Sequence, residues 1–402
     1  MRKLEQLMRK FCPNGVEYVK LNTVCKIYDG THSTPAYTST GVKFVSVQNI
    51  GNLYESDKYI SLADFKKYKV TPQNGDILMT RIGSIGVCAI VDKDEPLAYY
   101  VSLALLKPNK DILDSKYLKY VIESSHGRKE LRKRTLVNAV PIKINKDDIG
   151  KISIPIPPIS IQKEIVRILD VLSKLTLKLT EDLSTEIAVR RQQYEFYREK
   201  LLTFESGITW MPLGKIGRVA MCKRIMKNQT SPTGDVPFYK IGTFGKQADA
   251  FISNELFDEY KKKYSFPKKG SILISAAGTI GKTVVYDGNP AYYQDSNIVW
   301  LEHDETIVLN KYLFYCYQLK PWIISDGGTI SRLYNDNIAK AKIPVPSLAE
   351  QQRIVDILNH LDELFSNIQN ELLAEIKARK KQYEYYQDKL FNFKKKEVLE
   401  NE

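Results

Sequence analysis

The chain has 402 residues, 43% hydrophobic and 27% charged, which suits two or more packed domains and excludes wholesale disorder. Against 47 Asp and Glu stand 60 Lys and Arg, and the resulting +13 favours a polyanionic partner, nucleic acid before membrane. Five scattered cysteines never spaced C-x-x-C, and no apolar run near the ~18 residues of a membrane span, predict a cytoplasmic protein with reduced thiols and no membrane contact.

Residues 1–11 read as a short helical segment. The stretch LMRKFCPNGVEYVKL resembles KLLTFESGITWMPL near residue 204, with Phe11 opposite Phe204, Tyr18 opposite Trp210 and Leu21 opposite Leu213. Residues 1–11 are therefore expected to supply a helix tail that the first globular unit needs. That unit, 12–153, reads as mixed α/β: a strand at Val42–Val47, a Lys-rich helix before Gly75, a buried strand at Ile77–Leu78, a turn Gly83–Gly86 and a helix from Tyr117.

At 154–204 a Pro-rich lead-in (Pro155–Pro158) opens onto a long helix, since proline disfavours helix at and before its own position. Its apolar seam runs Ile161, Ile165, Ile168, Leu172, Leu175, Leu179, then Leu183, Ile187, Tyr194, Tyr197, Leu201 and Phe204. The extra four-residue step after Leu179 is a stutter in a heptad pattern.

The second unit, 205–342, repeats the first with low identity: a strand at Val236–Ile241, lysines before Gly270, a strand at Ile272–Leu273, the turn Gly278–Gly281 and a helix from Tyr312. A second long helix follows at 343–396 after Pro344–Pro346, with its seam at Ile354, Ile357, Leu361, Leu364, Ile368, Leu372, Ile376, Tyr383, Tyr386, Leu390 and Phe393, and then a tail at 397–402. Segments 154–204 and 343–393 align without a gap and share 21 of 51 positions. The matched seams predict an intramolecular antiparallel pair. The fold class is thus α+β: two similar mixed α/β units separated by two long antiparallel coiled-coil helices, a pseudo-two-fold internal repeat. The similar helices read as scaffold and the divergent units as selectivity.

Catalytic constellations are not found. The four histidines lack metal-ligand spacing, and Gly278–Thr283 ends in GKT without the four-residue gap a phosphate loop needs. No amino-methyltransferase tetrapeptide or cofactor glycine loop occurs, so no cofactor or metal is expected on this chain. Such a chain reads as a binder more than as an enzyme.

Phosphate contact suits the lysine run Lys66, Lys67 and Lys69, which faces the run Lys261, Lys262 and Lys263 in the repeat with Lys263 opposite Tyr68, and the run RKELRKR at 128–134. Base reading needs polar side chains on loops that enter a groove. Candidates are Thr31, His32, Ser33 and Thr34 in DGTHSTP, Gln48 and Asn49 after the first strand, and Arg81 and Ser84 near the Gly turn. The second unit offers Lys240, Thr243, Ser275, Thr279 and Arg332. Turn capping is the alternative role for each.

With the repeat, the paired seams and the missing active site together, the chain resembles the specificity subunit of a Type I restriction-modification system over essentially its full length. The residues that carry the likeness are IPVPSLAEQQRIV at 343–355 and the Gly-Asp-Ile-Leu…Gly-x-Ile-Gly pattern at 75–86. The first copy departs in having Ser160-Ile161 before Gln162, where Ala349-Glu350 precedes Gln351, and the second unit lacks an equivalent of the Gly30–Pro35 loop. The resemblance implies two target-recognition domains, each reading one half of an asymmetric bipartite site on double-stranded DNA, with the helices as a ruler for the unread spacer. It implies two methyltransferase subunits that dock on the helices, bind S-adenosylmethionine and methylate adenine at N6, and translocase–nuclease subunits that use ATP and magnesium. On the helices Gln162, Tyr194, Tyr197, Gln351, Tyr383 and Tyr386 are the candidate docking residues. Still open are a subunit serving a methyltransferase without a nuclease, a DNA methyltransferase or nuclease in its own right, and a coiled-coil assembly protein without DNA.

Overall fold

The computed structural model describes residues 2–204, 207–323 and 332–396; the tail at 397–402 lies outside the described residues. The chain divides into two compact units, one of residues 1–183 with 373–402 and one of residues 184–372, so each long helix contributes one half to each unit. Among the described residues no helix is long and apolar enough to cross a membrane.

In the first unit the fully buried strand Ile77–Thr80 lies between Leu103–Pro108 and Cys88–Ile90, and Cys25–Asp29 closes the antiparallel sheet beyond Leu103–Pro108. Its continuous apolar run, Ile-Leu-Met, is what a strand covered on both faces requires. A second small sheet carries Tyr37–Thr38, Tyr59–Ile60, Val42–Val45 and Leu97–Tyr99, the last two parallel. The second unit repeats this plan. Ile272–Ser275 lies between Ile298–Glu302 and Thr283–Val285, Arg218–Ala220 closes the edge, and Val236–Tyr239 again runs parallel to its neighbour, Tyr292–Tyr293.

The paired Gly turns have a backbone cause. Gly83 and Gly86 have φ of 76° and 88°, and Gly278 and Gly281 have 63° and 79°, a region costly for residues with a Cβ. The expected Lys-rich helices are unequal, however. Asn254–Lys263 is a ten-residue helix, whereas in the first unit only Leu62–Phe65 is helical and Lys66, Lys67 and Lys69 follow it.

The long helices run Ile159–Leu202 and Leu348–Phe391, 44 residues each. In the first unit the start of one packs on the end of the other, with Ile161, Ile165 and Leu169 sharing a core with Leu390 and Phe391. In the second unit Leu202 shares a core with Ile354, Val355 and Leu358, and Tyr194 stacks on Phe365 with ring centroids 5.6 Å apart. Both pairings are antiparallel.

The seam itself differs from the expected heptads. Leu175, Leu364, Ile368, Tyr197 and Tyr386 are exposed, while Ile354, Leu358, Leu361, Phe365, Gln369, Leu372, Ile376, Arg379, Tyr383, Gln387 and Leu390 are covered or half-covered. Residues 354, 365, 376 and 387 recur every eleven, as do 165, 176, 187 and 198 in the first helix, where all are likewise covered or half-covered. Eleven residues in three turns is about 3.67 per turn, close to an unstrained α-helix, so the contact stays on one face where strict heptads drift. The single expected stutter is spread along both helices.

Residues 2–11 do not act as the helix tail of the first unit. That place, filled in the second unit by Leu201–Phe204, is taken by Leu390–Phe393 of the second long helix, and Val16 then bonds Lys394 and Lys396 through its backbone at 2.8 and 2.9 Å. The helix Arg2–Phe11 is an addition. Leu4 enters the core, and Lys3 reaches Glu164 at 3.1 Å.

Matched polar bonds tie each globular unit to its half of the helices. Tyr117 donates its hydroxyl to the Pro155 carbonyl and Tyr312 to that of Pro344, both at 3.1 Å. Tyr120 donates to Asp170 at 2.7 Å, and Tyr315 meets Asn359 at 2.9 Å and Asp362 at 2.7 Å.

Candidate nucleic-acid interface

In the first unit four of the polar residues expected from sequence meet in one cleft of about 460 Å³: Thr31 and Ser33 from the loop after the first sheet strand, and Lys67 and Lys69 from the segment after Leu62–Phe65. The loop can cross here because Gly30 lies against backbone, where a Cβ would stand 2.4 Å from the Tyr100 carbonyl oxygen. His32, Ser33, Thr34, Gln48, Lys66 and Ser84 are exposed. Asn49 is partly committed, its side-chain oxygen accepting from the Ser46 amide at 3.0 Å, and Lys67 pairs with Asp64 at 2.6 Å.

Arg81 needs correcting. Its guanidinium is buried, ion-paired with Asp29 and bonded through Nε to the Ile144 carbonyl at 3.1 Å, so it is a strut and not a base-reading group. Arg81→Ala is expected to destabilise the first unit by about 2–4 kcal/mol, because it leaves Asp29 and a carbonyl unpartnered. Denaturant unfolding checks this.

In the second unit Lys240 and Arg332 line a cleft of about 550 Å³ together with Arg224, Lys227, Gln294 and Asn297. Arg332 donates to the Ser296 carbonyl at 2.9 Å, Lys240 pairs with Asp249 at 2.8 Å, and Arg224 with Asp295 at 2.8 Å. Sequence reasoning missed Arg224 and Lys227, although the run CKRIMKNQ at 222–229 was the available signal. Thr243 spends its hydroxyl on its own turn with Lys240 at 3.1 Å. Ser275 is a second correction: it is 1% exposed and its oxygen accepts from the Lys282 amide at 2.9 Å, closing the Gly turn. Thr279 stays exposed at the tip of that turn. Lys261 and Lys262 are exposed on the helix Asn254–Lys263, apart from the cleft, and Lys261 stands over the Phe257 ring at 5.2 Å.

Of the candidate docking residues, Gln162 and Gln351 are fully buried and unavailable to a partner. Gln162 accepts from the Asp114 amide at 2.9 Å and donates to the carbonyls of Ile112 and Pro157 at 2.8 and 2.7 Å. Gln351 does the same with Leu309, Ile307 and Pro346 at 2.9, 2.8 and 2.9 Å. Tyr194 and Tyr383 are half-buried in the seam. Burial and the Asp362 carboxylate push the Tyr194 hydroxyl up, and burial pushes that of Tyr383 up to about 12. Tyr197 and Tyr386 are open, each with a neighbouring ring, Phe196 and Tyr385, at 5.4 Å, and the long helices also expose Leu364 and Ile368 in the second unit and Leu175 and Leu177 in the first. Among the described residues no group of three His, Cys, Asp or Glu side chains converges as a metal site would need.

The family described as the Type I restriction modification DNA specificity domain matches residues 13–189 and again 205–378. A Haemophilus influenzae protein, a putative type I restriction enzyme specificity subunit, is 53% identical over 285 residues, 67% of this chain and 74% of its own length. The EcoR124I/EcoR124II specificity subunit of Escherichia coli is 32% identical over 270 residues, 62% of this chain and 65% of its own length. In fold, the chain is similar to one solved in work on complex assembly and conformational transition of the type I R-M system, with a TM-score of 0.75 at 16% identity over 94% of this chain and 98% of that one. The HsdS subunit of Thermoanaerobacter tengcongensis gives 0.54 at 16% identity over 95% and 97%. A doubled fold with two unlike cation-bearing clefts, matched twice by one family along its length, makes this chain a member of the Type I restriction-modification DNA specificity subunits.

Proposed function

We propose that each globular unit reads one half of an asymmetric bipartite site on duplex DNA, for partner subunits that methylate adenine at N6 and, in the full assembly, cut. The observation that carries this reading is the pairing of one topology with two chemically different clefts. The first is lined by tyrosine, threonine and lysine, the second by arginine, lysine and amide side chains. Cations set register on phosphates, and exposed hydroxyls and amides such as Thr34, Gln48, Ser84 and Thr279 reach base edges.

The duplicated exposed faces of the long helices, Leu175 with Tyr386 and Leu364 with Tyr197, suit two copies of one methyltransferase partner. Repeated apolar surface of this kind marks association sites. S-adenosylmethionine and ATP with magnesium belong to those partners. Flipping of the target adenine takes place in the methyltransferase pocket.

Exchange of residues 12–153 for the corresponding unit of another specificity subunit tests the reading by mapping methylated sites in host DNA. The expected result is a change in one half-site with the other half retained. Altered bases in both halves would refute independent reading.

A further inference from the structure

The cleft of the first unit has a chemistry that edge-on reading of a stacked duplex does not call for. Tyr28 and Tyr68 line it, with the buried Tyr99 behind them; the Tyr68 and Tyr99 ring centroids are 6.1 Å apart. Asp29 sits among these rings, held by Arg81, and offers a carboxylate acceptor. At the rim stand Lys69, which makes no ion pair among the described residues, and Lys146. A volume of about 460 Å³ is within the range of small-ligand sites. We propose that this cleft holds one unstacked nucleotide, its base against the tyrosines, an exocyclic amino group on Asp29 and its phosphate at Lys69 and Lys146.

Each part of the ligand has its reason. Aromatic rings stack on the face of any base, a face that a paired, stacked base keeps covered. A carboxylate accepts from the amino groups of adenine, cytosine or guanine and repels the carbonyl edge of thymine. Burial pushes the Tyr68 hydroxyl up to about 12, and that hydroxyl donates to the Tyr99 carbonyl at 3.5 Å, which leaves the ring as the part of Tyr68 the base meets. Among the described residues of the second unit Tyr28 and Tyr68 have no aromatic counterpart. The strand register puts Ala220 where the first unit has Tyr28, and the repeat puts Lys263 in place of Tyr68. The nucleotide is therefore a base drawn from the first unit's half-site or a free mononucleotide.

Two measurements on the full-length chain decide. In the first, dAMP, dCMP, dGMP and dTMP are titrated by calorimetry and saturation-transfer NMR. Saturable binding of the amino-bearing nucleotides is expected, with dTMP weaker and affinity falling about tenfold in Lys69→Ala and in Tyr68→Leu but retained in Tyr68→Phe. In the second, 2-aminopurine is scanned through a duplex carrying the mapped site in the assembly with the methyltransferase. A fluorescence rise at one position of the first unit's half-site other than the methylated adenine, lost in Lys69→Ala, assigns the base to the duplex, and mononucleotide binding without that rise assigns a free nucleotide. The proposal is overturned if no nucleotide saturates and no position but the methylated adenine brightens while the duplex is still bound selectively, or if Lys69→Ala leaves both signals unchanged. Only the duplex measurement rests on the DNA-reading function. Loss of selective duplex binding would sink that function while the mononucleotide titration still decides the cleft.

Discussion

Replacing Gln351 by leucine is expected to lower the stability of the second unit by about 3–5 kcal/mol, since three buried or half-buried backbone groups lose their partner at once and each costs about 1–3 kcal/mol when left unmade. Those groups are the Leu309 amide and the carbonyls of Ile307 and Pro346, all bonded to one amide side chain that is fully buried at the start of the long helix. The bond set joins three segments: the loop that starts the helix Asn310–Gln318, the Pro-rich lead-in and the helix Leu348–Phe391. A leucine fills the volume and satisfies none of them. Gln351→Glu fares no better at neutral pH, because it keeps the acceptor for Leu309 but turns a charge toward two carbonyls. The readout is built into the chain: all three tryptophans, Trp210, Trp300 and Trp322, lie in the second unit. Gln351→Leu should shift the tryptophan-monitored unfolding transition to lower denaturant, whereas Gln162→Leu should weaken the first unit and leave that transition in place. A tryptophan transition unmoved by Gln351→Leu would show that the amide bonds contribute little.

This glutamine also marks the limit of what the sequence discloses. Its recurrence after each Pro-rich lead-in is plain in the chain, yet the same recurrence suits a docking residue and an internal lock. Only the positions of residues 112–114 and 307–309, distant in sequence, separate the two. The repeat, the paired helices and the buried strands were legible because they are written as local periodicity: proline, glycine and apolar spacing act over a few residues. The course of the seam was not. Leu175 and Leu364 have the right chemistry for a heptad core, but half-polar positions such as Thr176, Gln369 and Gln387 occupy the contact because an eleven-residue rhythm fits the helix better. Arg81 and Ser275 misled for a similar reason. An arginine or serine beside a glycine turn suits a groove contact equally well, until a distant Asp29 or Lys282 proves to be its partner. The clefts were least legible, since Tyr28, Tyr68, Tyr99 and Lys146 come from four separated segments.

Inserting four matched residues into each long helix, after Leu183 and after Leu372, is expected to move the preferred DNA site to one with a spacer one to two base pairs longer. At 1.5 Å and ~100° per residue the insertion adds about 6 Å and, beyond a full turn, about 40°. B-DNA gains ~34 Å and a full turn in ~10 base pairs, so two base pairs supply about 7 Å and roughly 70°. Both changes have the same hand, which lets a longer spacer restore both distance and facing where a change in either alone would not. Insertion into one helix only breaks the eleven-residue match of the seam, setting covered positions such as Ile376 and Ile187 against exposed ones, and is expected to cost stability before it changes the spacer. Methylation mapping with the doubly extended chain measures the outcome: the native spacer should fall by about a hundredfold or more in methylation rate, in line with the loss of one half-site's contacts at about 1–3 kcal/mol per base pair. A doubly extended chain that folds, assembles and still methylates the original spacer would mean that the separation of the half-sites is set elsewhere, by the methyltransferase subunits and not by these helices.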